Sequence, residues 1–235
     1  LVKIQDGCDN FCTFCIIPFV RGRAVSRPAN QVLQNVREVV AKGAKEIVLT
    51  GVNISRYDHE GLKFSGLLDQ ILNVEGDFRV RISSIEPDRF DDHFFSLVGH
   101  PKLAPHLHLC LQSGSDRILL QMRRMYTVSE FMSIVDRVRA RDPRFNFTTD
   151  VIVGFPGETE EEFEETMDVA RRVGFGHMHI FKYSVRKNTR AERMPHHIPD
   201  AVKTDRSPRM HALAEELKAA YRAPFDQTEQ RVLVE

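Results

Sequence analysis

The chain has 235 residues, 42% hydrophobic and 28% charged, which is long enough to bury the core of one large domain or two small ones. Lys and Arg together number 33, as do Asp and Glu, so the net charge is zero, whereas nucleic-acid binders usually carry a basic excess. No apolar run approaches the ~20 residues of a membrane span and no signal peptide is visible, so we expect a soluble protein without a membrane partner.

Short β-rich runs alternate with segments of helical period along the chain. The predicted strands are 1–4, 46–51, 79–84, 106–112, 147–155 and 176–184, and the predicted helices between them include 32–43, 64–74 and 130–142. This alternation predicts an α/β fold of βαβ units around a parallel sheet, either an open partial barrel or a doubly wound sheet.

Local residue chemistry marks several helix ends. The segments 127–130 and 159–162 both have the Thr-x-x-Glu form of a capping box. The acidic run 158–165 is typical of a solvated helix start, where the helix dipole favours negative charge. A final helix is predicted over 205–223, and 230–235 is predicted to be a strand that begins a further module. Because the chain also lacks an initiator Met, we expect it to be part of a longer protein.

Three of the four cysteines lie within eight positions, with the spacing C-x3-C-x2-C. They are Cys8, Cys12 and Cys15, and they follow the first predicted strand on a long loop. Cys110 is remote from them and is interpreted as a small buried residue rather than a fourth ligand. This usage does not suggest a disulfide framework and is consistent with the reducing cytoplasm, where we expect the protein to be located.

Three kinds of site can use such a trio of thiols. A structural zinc site normally takes four protein ligands, and no second Cys/His pair has finger spacing. A redox dithiol needs only Cys12 and Cys15, which leaves Cys8 unexplained. An iron–sulfur cluster held by three cysteines uses every thiol and leaves one iron open to a substrate or cofactor.

The cysteine spacing, with Phe14 before the last cysteine, resembles the cluster motif of the radical S-adenosylmethionine superfamily. The resemblance implies a partial (β/α)6 TIM-like barrel that binds a [4Fe–4S] cluster through Cys8, Cys12 and Cys15. It also implies that the open iron binds the amine and carboxylate of S-adenosylmethionine, and that the reduced cluster yields a 5′-deoxyadenosyl radical. The cofactor then carries the difficult chemistry, and the protein positions it and excludes water.

Further motifs resemble the methylthiotransferase family, and three of them, TGVN, RISSIEP and RRMYT, are most similar to its branch that acts on threonylcarbamoyladenosine in tRNA. They are TGVN (50–53), RISSIEP (81–87), LQSGSDRIL (111–119), RRMYT (123–127), DVIVGFPGETEEEF (150–163) and FKYSVRKNTRAERM (181–194). The resemblance implies insertion of a methylthio group at C2 of this nucleoside, at tRNA position 37 beside the anticodon. The alternatives are the branches that act on isopentenyladenosine in tRNA or on a ribosomal protein aspartate, and, in another class, a non-catalytic metal-binding module.

The same resemblance implies which residues contact the cofactor. The expected cofactor-binding residues are Phe14, Gly51, Ser84, Glu86, Gln112, Asp150, Gly154 and Phe155, and the expected substrate or carboxylate contacts are Arg21, Arg23 and Arg27. TGVN stands where other radical enzymes have a Gly-Gly-Glu segment, and it lacks the acidic residue, so a side-chain contact from this loop is in doubt.

The resemblance also implies parts and partners outside the chain. We expect 1–204 to form the barrel, 205–229 a C-terminal helix and linker, and 230–235 the start of a truncated β-module. A preceding domain would carry a second [4Fe–4S] cluster, tRNA would bind the full-length enzyme, and a flavodoxin or ferredoxin would supply electrons.

Two H-x-H pairs, 106–108 and 177–179, each place two imidazoles on one strand face. Such pairs are also found in barrel metal hydrolases. The first pair begins its strand, far from the carboxyl-terminal mouth where barrel sites lie, so a second metal is not expected there.

Overall fold

The computed structural model describes residues 1–230, 232 and 233. The β-strands are β1 (Val2–Lys3), β2 (Gln5–Asp6), β3 (Val25–Ser26), β4 (Glu46–Thr50), β5 (Asp58–His59), β6 (Leu62–Lys63), β7 (Arg79–Ile82), β8 (Ser84–Ile85), β9 (His106–Leu109), β10 (Asn146–Val153) and β11 (His177–Lys182). The α-helices are α1 (Ile17–Arg21), α2 (Ala29–Ala41), α3 (Phe64–Leu72), α4 (Asp92–Leu97), α5 (Asp116–Gln121), α6 (Val128–Arg139), α7 (Glu160–Val173) and α8 (Asp200–Arg222).

The principal strands form an open parallel arrangement in chain order. One sheet has the order β1-β4-β7 and the next has the order β11-β10-β9-β8, and every neighbouring pair within them is parallel. Only Ser83 separates β7 from β8, so the two sheets continue one another, and β1 and β11 stand at opposite ends. The sequence prediction of a partial (β/α)6 barrel is confirmed.

Side chains alternate between the two faces of these strands. In β9, Leu107 and Leu109 are fully buried and belong to the main apolar core, whereas His106 and His108 between them are only partly buried. The helices supply the other half of that core, including Val32 of α2. The outer face of the sheet is therefore apolar and covered by helices, and the inner face is polar.

The predicted helix starts at 127–130 and 159–162 are confirmed as capping boxes. Thr127 accepts a hydrogen bond from the Glu130 backbone N–H and begins α6, and Thr159 accepts from the Glu162 N–H and begins α7. Each box satisfies two of the amide groups that a helix start leaves without partners.

The last helix differs from its prediction. It begins at Asp200, directly after Pro199, rather than at residue 205, so the predicted domain boundary at 204 falls inside α8. The helix packs against β11 and β10 and completes the outer layer. The strand expected over 230–235 falls largely outside the described residues and stays a prediction. No helix among the described residues has the length and hydropathy of a membrane span.

Candidate functional site

A two-stranded hairpin closes the long loop that carries the cysteines. β2 and β3 pair antiparallel, with Gln5 opposite Ser26 and Asp6 opposite Val25. Gly7 follows β2 with a φ of 69°, and a Cβ atom there would lie 2.0 Å from the Arg23 carbonyl oxygen. Only glycine fits this close approach, which brings the two ends of the loop together.

The buried Gln5 side chain ties the start of this loop to the TGVN segment after β4. Its Oε1 accepts hydrogen bonds from the backbone N–H groups of Val52 (3.0 Å) and Asn53 (2.8 Å). A Cβ on Gly51 would lie 2.9 Å from the Gln5 carbonyl oxygen and 2.7 Å from Ile54 Cγ2. Gly51 is thus required by packing, and its expected contact with a cofactor stays a prediction.

Thr13 anchors the middle of the loop to the opposite side of the barrel mouth. Its N–H donates to the Met122 carbonyl (3.0 Å), its hydroxyl donates to the Gln121 carbonyl (2.9 Å), and its own carbonyl accepts from the Ala191 N–H (2.8 Å). The loop is therefore held by backbone contacts on both sides of its thiols.

The three thiols of the loop are all free and none is fully buried. Cys8 Sγ lies 3.4 Å from the Asn10 N–H donor, and Arg124 Nη1 donates to Cys12 Sγ at 3.3 Å. The Cys15 N–H donates to the Cys12 carbonyl at 3.0 Å and closes a turn between them. Cys110 is buried in the core, as expected for a small buried residue.

Arg124 is a functional candidate that the sequence did not single out. Its side chain is 3% exposed, pairs with the Glu86 carboxylate and donates from Nε to Tyr126 Oη at 3.1 Å. Tyr126 in turn donates to the Cys110 carbonyl at 2.7 Å. The RRMYT motif contains Arg124, but only the fold shows that its side chain joins Glu86 to Cys12.

Burial raises the pKa of the Cys12 thiol above its usual value, and the Arg124 charge opposes this rise. Burial also raises the pKa of Cys15, and the Ile17 backbone N–H acts against it. Both thiols are therefore protonated at neutral pH in the absence of a metal. Because metals bind thiolates, assembly of a metal centre here must release protons.

A cavity of about 340 Å³ opens beside the last cysteine at the carboxyl ends of the strands. Sites in barrels of this type form at that end. Four of the predicted site residues line it together: Phe14, Cys15, Gln112 and Asp150, and the other lining residues are Ile152, Phe181, Lys182, Tyr183, Ser184 and Arg186.

Gln112 reaches the cavity from a strained backbone position. Its φ is +64°, which few residues other than glycine adopt. The Gln112 N–H donates to the Asp150 carbonyl (2.8 Å), and its carbonyl accepts from the Ile152 N–H (2.9 Å). These two bonds hold the conformation, and such strain often accompanies functional positions.

The two phenylalanines of the predicted site have different places. Phe14 lines the cavity, while Phe155 is fully buried behind it. The rings meet edge to face with centroids 6.3 Å apart, and Phe155 meets Tyr183 in the same way at 5.4 Å. Phe155 therefore supports Phe14 and Tyr183 from the core.

A network of buried charges holds the turn after β10. The Gly154 N–H donates to Glu158 Oε2 (2.7 Å), and Arg206 Nη1 of α8 donates to the same oxygen (2.8 Å). A Cβ on Gly154 would lie 2.2 Å from Lys203 Cγ, so glycine is needed for the packing of α8. Burial raises the pKa of Glu158 to about 7, and the Gly154 N–H and Arg206 act against this rise.

The predicted arginine contacts lie away from the cavity lining. Arg21 is 3.7 Å from Asp6, Arg23 donates to Asp9 (2.6 Å), and Arg27 donates to the Lys3 carbonyl (2.7 Å). The cations that line the cavity are instead Lys182 and Arg186. Lys182 ends β11 and Arg186 follows it, and the sequence gave no signal for these two cations beyond the FKYSVRK motif. A role of Arg21, Arg23 and Arg27 toward substrate stays a prediction.

Ser84 and Glu86 follow β7 on the inner side of the barrel. Ser84 is exposed and pairs in register with His108, and Glu86 is engaged by Arg124. The structure also brings His108, Asp150 and His179 together on the inner face. The position of the first H-x-H pair at the start of its strand did not predict this group.

The residues present fit an iron–sulfur cluster. Three free thiols share one clamped loop, one of them borders the cavity, and a guanidinium contacts another. A three-thiolate donor set leaves one iron without a protein ligand, and the adjoining cavity provides room for a molecule that binds it.

Comparison with known proteins agrees with this geometry. The family model of the Radical SAM superfamily matches residues 2–170. The threonylcarbamoyladenosine tRNA methylthiotransferase MtaB of Thermotoga maritima is 42% identical over the whole chain, which covers 55% of that protein. The tRNA-2-methylthio-N(6)-dimethylallyladenosine synthase of Fusobacterium nucleatum is 45% identical over 89% of the chain and 49% of its own length. The chain thus spans about half the length of these curated relatives.

Solved structures share the fold at low sequence identity. The radical S-adenosylmethionine methyltransferase TsrM of Kitasatospora setae, solved with cobalamin and a [4Fe–4S] cluster, superposes with a TM-score of 0.67 at 17% identity, over 81% of this chain and 38% of its own. Methylornithine synthase (PylB) superposes with a TM-score of 0.61 at 12% identity, over 97% and 73%. The family match over most of the chain, together with this fold, shows that the chain belongs to the radical S-adenosylmethionine superfamily.

Proposed function

We propose that this chain is the radical S-adenosylmethionine domain of a methylthiotransferase that modifies threonylcarbamoyladenosine in tRNA. The observation that carries the proposal is the joint placement of the cysteine loop, Phe14, Gln112 and Asp150 around one cavity at the barrel mouth. The relatives named above, which are tRNA methylthiotransferases, support the class of substrate.

The superfamily uses a [4Fe–4S] cluster and S-adenosylmethionine, and this chain has the residues to hold both. Cys8, Cys12 and Cys15 would hold the cluster, which when bound supplies the electron that cleaves the sulfonium. Arg124, which contacts Cys12 Sγ, would stabilise the thiolate form of Cys12 by a charge-assisted hydrogen bond when a cluster is bound.

The cavity walls would orient the nucleotide. Phe14 offers a ring face for an adenine, and the Gln112 side chain offers both a donor and an acceptor. Arg186 or Lys182, which line the same cavity, would pair with the methionine carboxylate. The apolar wall behind Phe14 limits access of water from the core side.

The remaining parts of the enzyme would lie outside this chain. A domain with a second [4Fe–4S] cluster and an RNA-binding module account for the missing half of the relatives' length. The zero net charge is consistent with an RNA grip supplied mainly by these parts. We place the enzyme in the cytoplasm, with a flavodoxin or ferredoxin as electron donor.

Analysis of tRNA nucleosides by mass spectrometry, in a strain that lacks the gene, tests the substrate. The proposal predicts loss of the methylthio form of threonylcarbamoyladenosine and accumulation of the unmodified nucleoside. Loss from isopentenyladenosine instead would assign the protein to the branch of its dimethylallyladenosine-modifying relative. A methylthio group lost from a ribosomal protein, with both nucleosides intact, would overturn the assignment to tRNA.

Anaerobic reconstitution tests whether the chain is catalytic at all. The expected product after reduction in the presence of S-adenosylmethionine is 5′-deoxyadenosine. A chain that takes up zinc in place of iron and forms no such product would be a non-catalytic metal-binding module.

A further inference from the structure

A second group of metal-binding side chains lies on the inner face of the barrel, apart from the cysteines. His108 of β9, Asp150 of β10 and the exposed His179 of β11 each offer a ligand atom, and these atoms all lie within 4.8 Å of one another. Among the residues that the structure describes, no other group of three or more His, Cys, Asp or Glu residues has its ligand atoms this close together.

Strand register explains why residues so far apart in sequence meet. β9 and β10 pair with His108 opposite Thr148, and β10 and β11 pair with Asp150 opposite His179. The three residues therefore occupy adjacent strands at nearly one level, on the face that points away from the helices. Asp150 also lines the cavity at the barrel mouth, so the group is open to that cavity.

The distance between His108 and Asp150 is similar to the distance between two neighbouring ligand atoms of a tetrahedral metal ion. His108 Nε2 lies 3.3 Å from Asp150 Oδ1, yet this buried nitrogen has no aligned hydrogen-bond partner. Around a tetrahedral zinc ion with bonds of about 2.0–2.1 Å, neighbouring ligand atoms lie about 3.3–3.4 Å apart. The distance between these two atoms thus fits two ligands of one cation.

The surroundings fix the imidazole for ligation. Thr148 Oγ1 lies 3.0 Å from His108 Nδ1, so a proton on Nδ1 can be donated to the hydroxyl and the lone pair of Nε2 is left free. Metal-binding histidines are usually held by such a bond at the other ring nitrogen. The His108 side chain is only 11% exposed, which limits competition from water.

We propose that His108, Asp150 and His179 form a three-ligand site for a divalent transition-metal ion of the zinc class. Two imidazoles and one carboxylate suit Zn²⁺ and its neighbours better than Mg²⁺ or Ca²⁺, which prefer oxygen ligands alone. Three protein ligands leave one position open, as in catalytic rather than structural zinc sites, and the cavity adjoins that position.

The test uses a variant in which Cys8→Ser, Cys12→Ser and Cys15→Ser remove the three thiols of the cysteine loop. Titration of this variant with Co²⁺ measures metal binding at the proposed site alone. Co²⁺ is expected to bind one equivalent and to give tetrahedral d–d absorption without a thiolate charge-transfer band. His108→Ala and His179→Ala should each weaken binding by at least about a hundredfold, and Thr148→Val by about tenfold through loss of the orienting bond.

His177→Ala provides the matched control, because His177 lies on the same strand with its ring 4.6 Å from that of His179, but is not one of the three ligands. It should change the affinity for Co²⁺ by less than about threefold. Circular dichroism of each variant reports whether it is folded.

Metal analysis of the cluster-loaded wild-type chain, equilibrated with Zn²⁺ and desalted, supplies an independent measurement. One zinc beyond the iron of the cluster is expected, and it should be absent from folded His108→Ala. No Co²⁺ binding by the folded cysteine variant, or retention of affinity in both histidine variants, would overturn the proposal. So would an unchanged zinc content accompanied by weaker binding of RNA, which would make these side chains substrate contacts.

Discussion

Two loops at the carboxyl-terminal end of the barrel are held in different ways. The cysteine loop (residues 7–24) is fixed at its ends by the β2–β3 hairpin and at Thr13 by backbone contacts, and its thiols are left free. The turn after β10 (residues 154–158) is fixed by a buried ion pair between Glu158 and Arg206. The fold thus fixes the turn with its own charges and leaves the thiols of the cysteine loop free to bind a metal centre.

Substitutions in the two loops should therefore have different effects. Changes in the cysteine loop should affect the cofactor much more than the stability of the fold. Changes in the turn network should affect stability first. Four substitutions or conditions distinguish an effect on the cofactor from an effect on stability, from the largest expected effect to the smallest.

Cys12→Ser should remove cluster-dependent cleavage of S-adenosylmethionine by more than about a thousandfold, a change of about 4 kcal/mol in activation free energy. The free energy of unfolding of the cluster-free chain should change by less than about 1 kcal/mol, because the thiol is not a core side chain. Cleavage is measured as 5′-deoxyadenosine formed, and stability by urea titration. Cys110→Ala is the control and should retain the cluster. An equal loss of cleavage in Cys12→Ser and Cys110→Ala would contradict a special role of Cys12.

Arg206→Ala should lower the free energy of unfolding by about 3–5 kcal/mol, because it leaves the Glu158 carboxylate buried without its partner. Arg209→Ala is a matched control three residues later on α8, where the side chain is 37% exposed and pairs with Glu160 at 2.6 Å. Its expected cost is below about 1 kcal/mol. Urea denaturation of both variants measures the difference, and similar costs would contradict a special role of the buried pair.

Stability should fall with rising pH because of Glu158. Burial raises its folded-state pKa to about 7 from 4.5, so the contribution is complete below about pH 4.5 and is lost as the pH rises through 7. Between pH 5 and 8 the wild type should lose about 1–3 kcal/mol more than Glu158→Gln. The comparison is of unfolding free energies at several pH values; parallel curves for the two proteins would contradict it.

Arg124→Lys should slow alkylation of Cys12 at pH 8 by about three- to tenfold. Lysine keeps the charge but cannot contact both Cys12 Sγ and the Glu86 carboxylate, so the thiol pKa rises and less thiolate is present. Mass spectrometry of the cluster-free chain after timed iodoacetamide treatment measures the rate. Arg123→Lys, at the neighbouring position, should leave the rate unchanged, and an equal effect there would show that Arg124 has no special contact.

The sequence predicted the parts of the fold that depend on short-range pattern. Six strands, the capping boxes at Thr127 and Thr159 and the location of the cysteine loop follow from periodicity and local hydrogen-bond chemistry, and all are observed. The β2–β3 hairpin was missed because strands of two residues have no periodicity. The early start of α8 did have a signal, since an acidic residue such as Asp200 is favoured in the first turn of a helix.

The parts of the site that depend on register were not accessible from the sequence. Arg124 reaches Cys12 across 112 positions, and the meeting of His108 with Asp150 and His179 needs the pairing of three strands. Phe14, Gln112 and Asp150 line one cavity because the carboxyl ends of parallel strands converge, and their contacts with a cofactor stay a prediction. Arg21, Arg23 and Arg27 bond locally instead, which sequence proximity to the cysteines does not reveal.

The most direct test of the central claim is electron paramagnetic resonance of the reduced, anaerobically reconstituted chain, with iron and sulfide analysis on the same sample. The account predicts the stoichiometry of a [4Fe–4S] cluster and a signal that changes when S-adenosylmethionine is added, with both lost in Cys15→Ser. A cluster whose signal is unaffected by S-adenosylmethionine, or thiols that hold zinc and no iron, would contradict it.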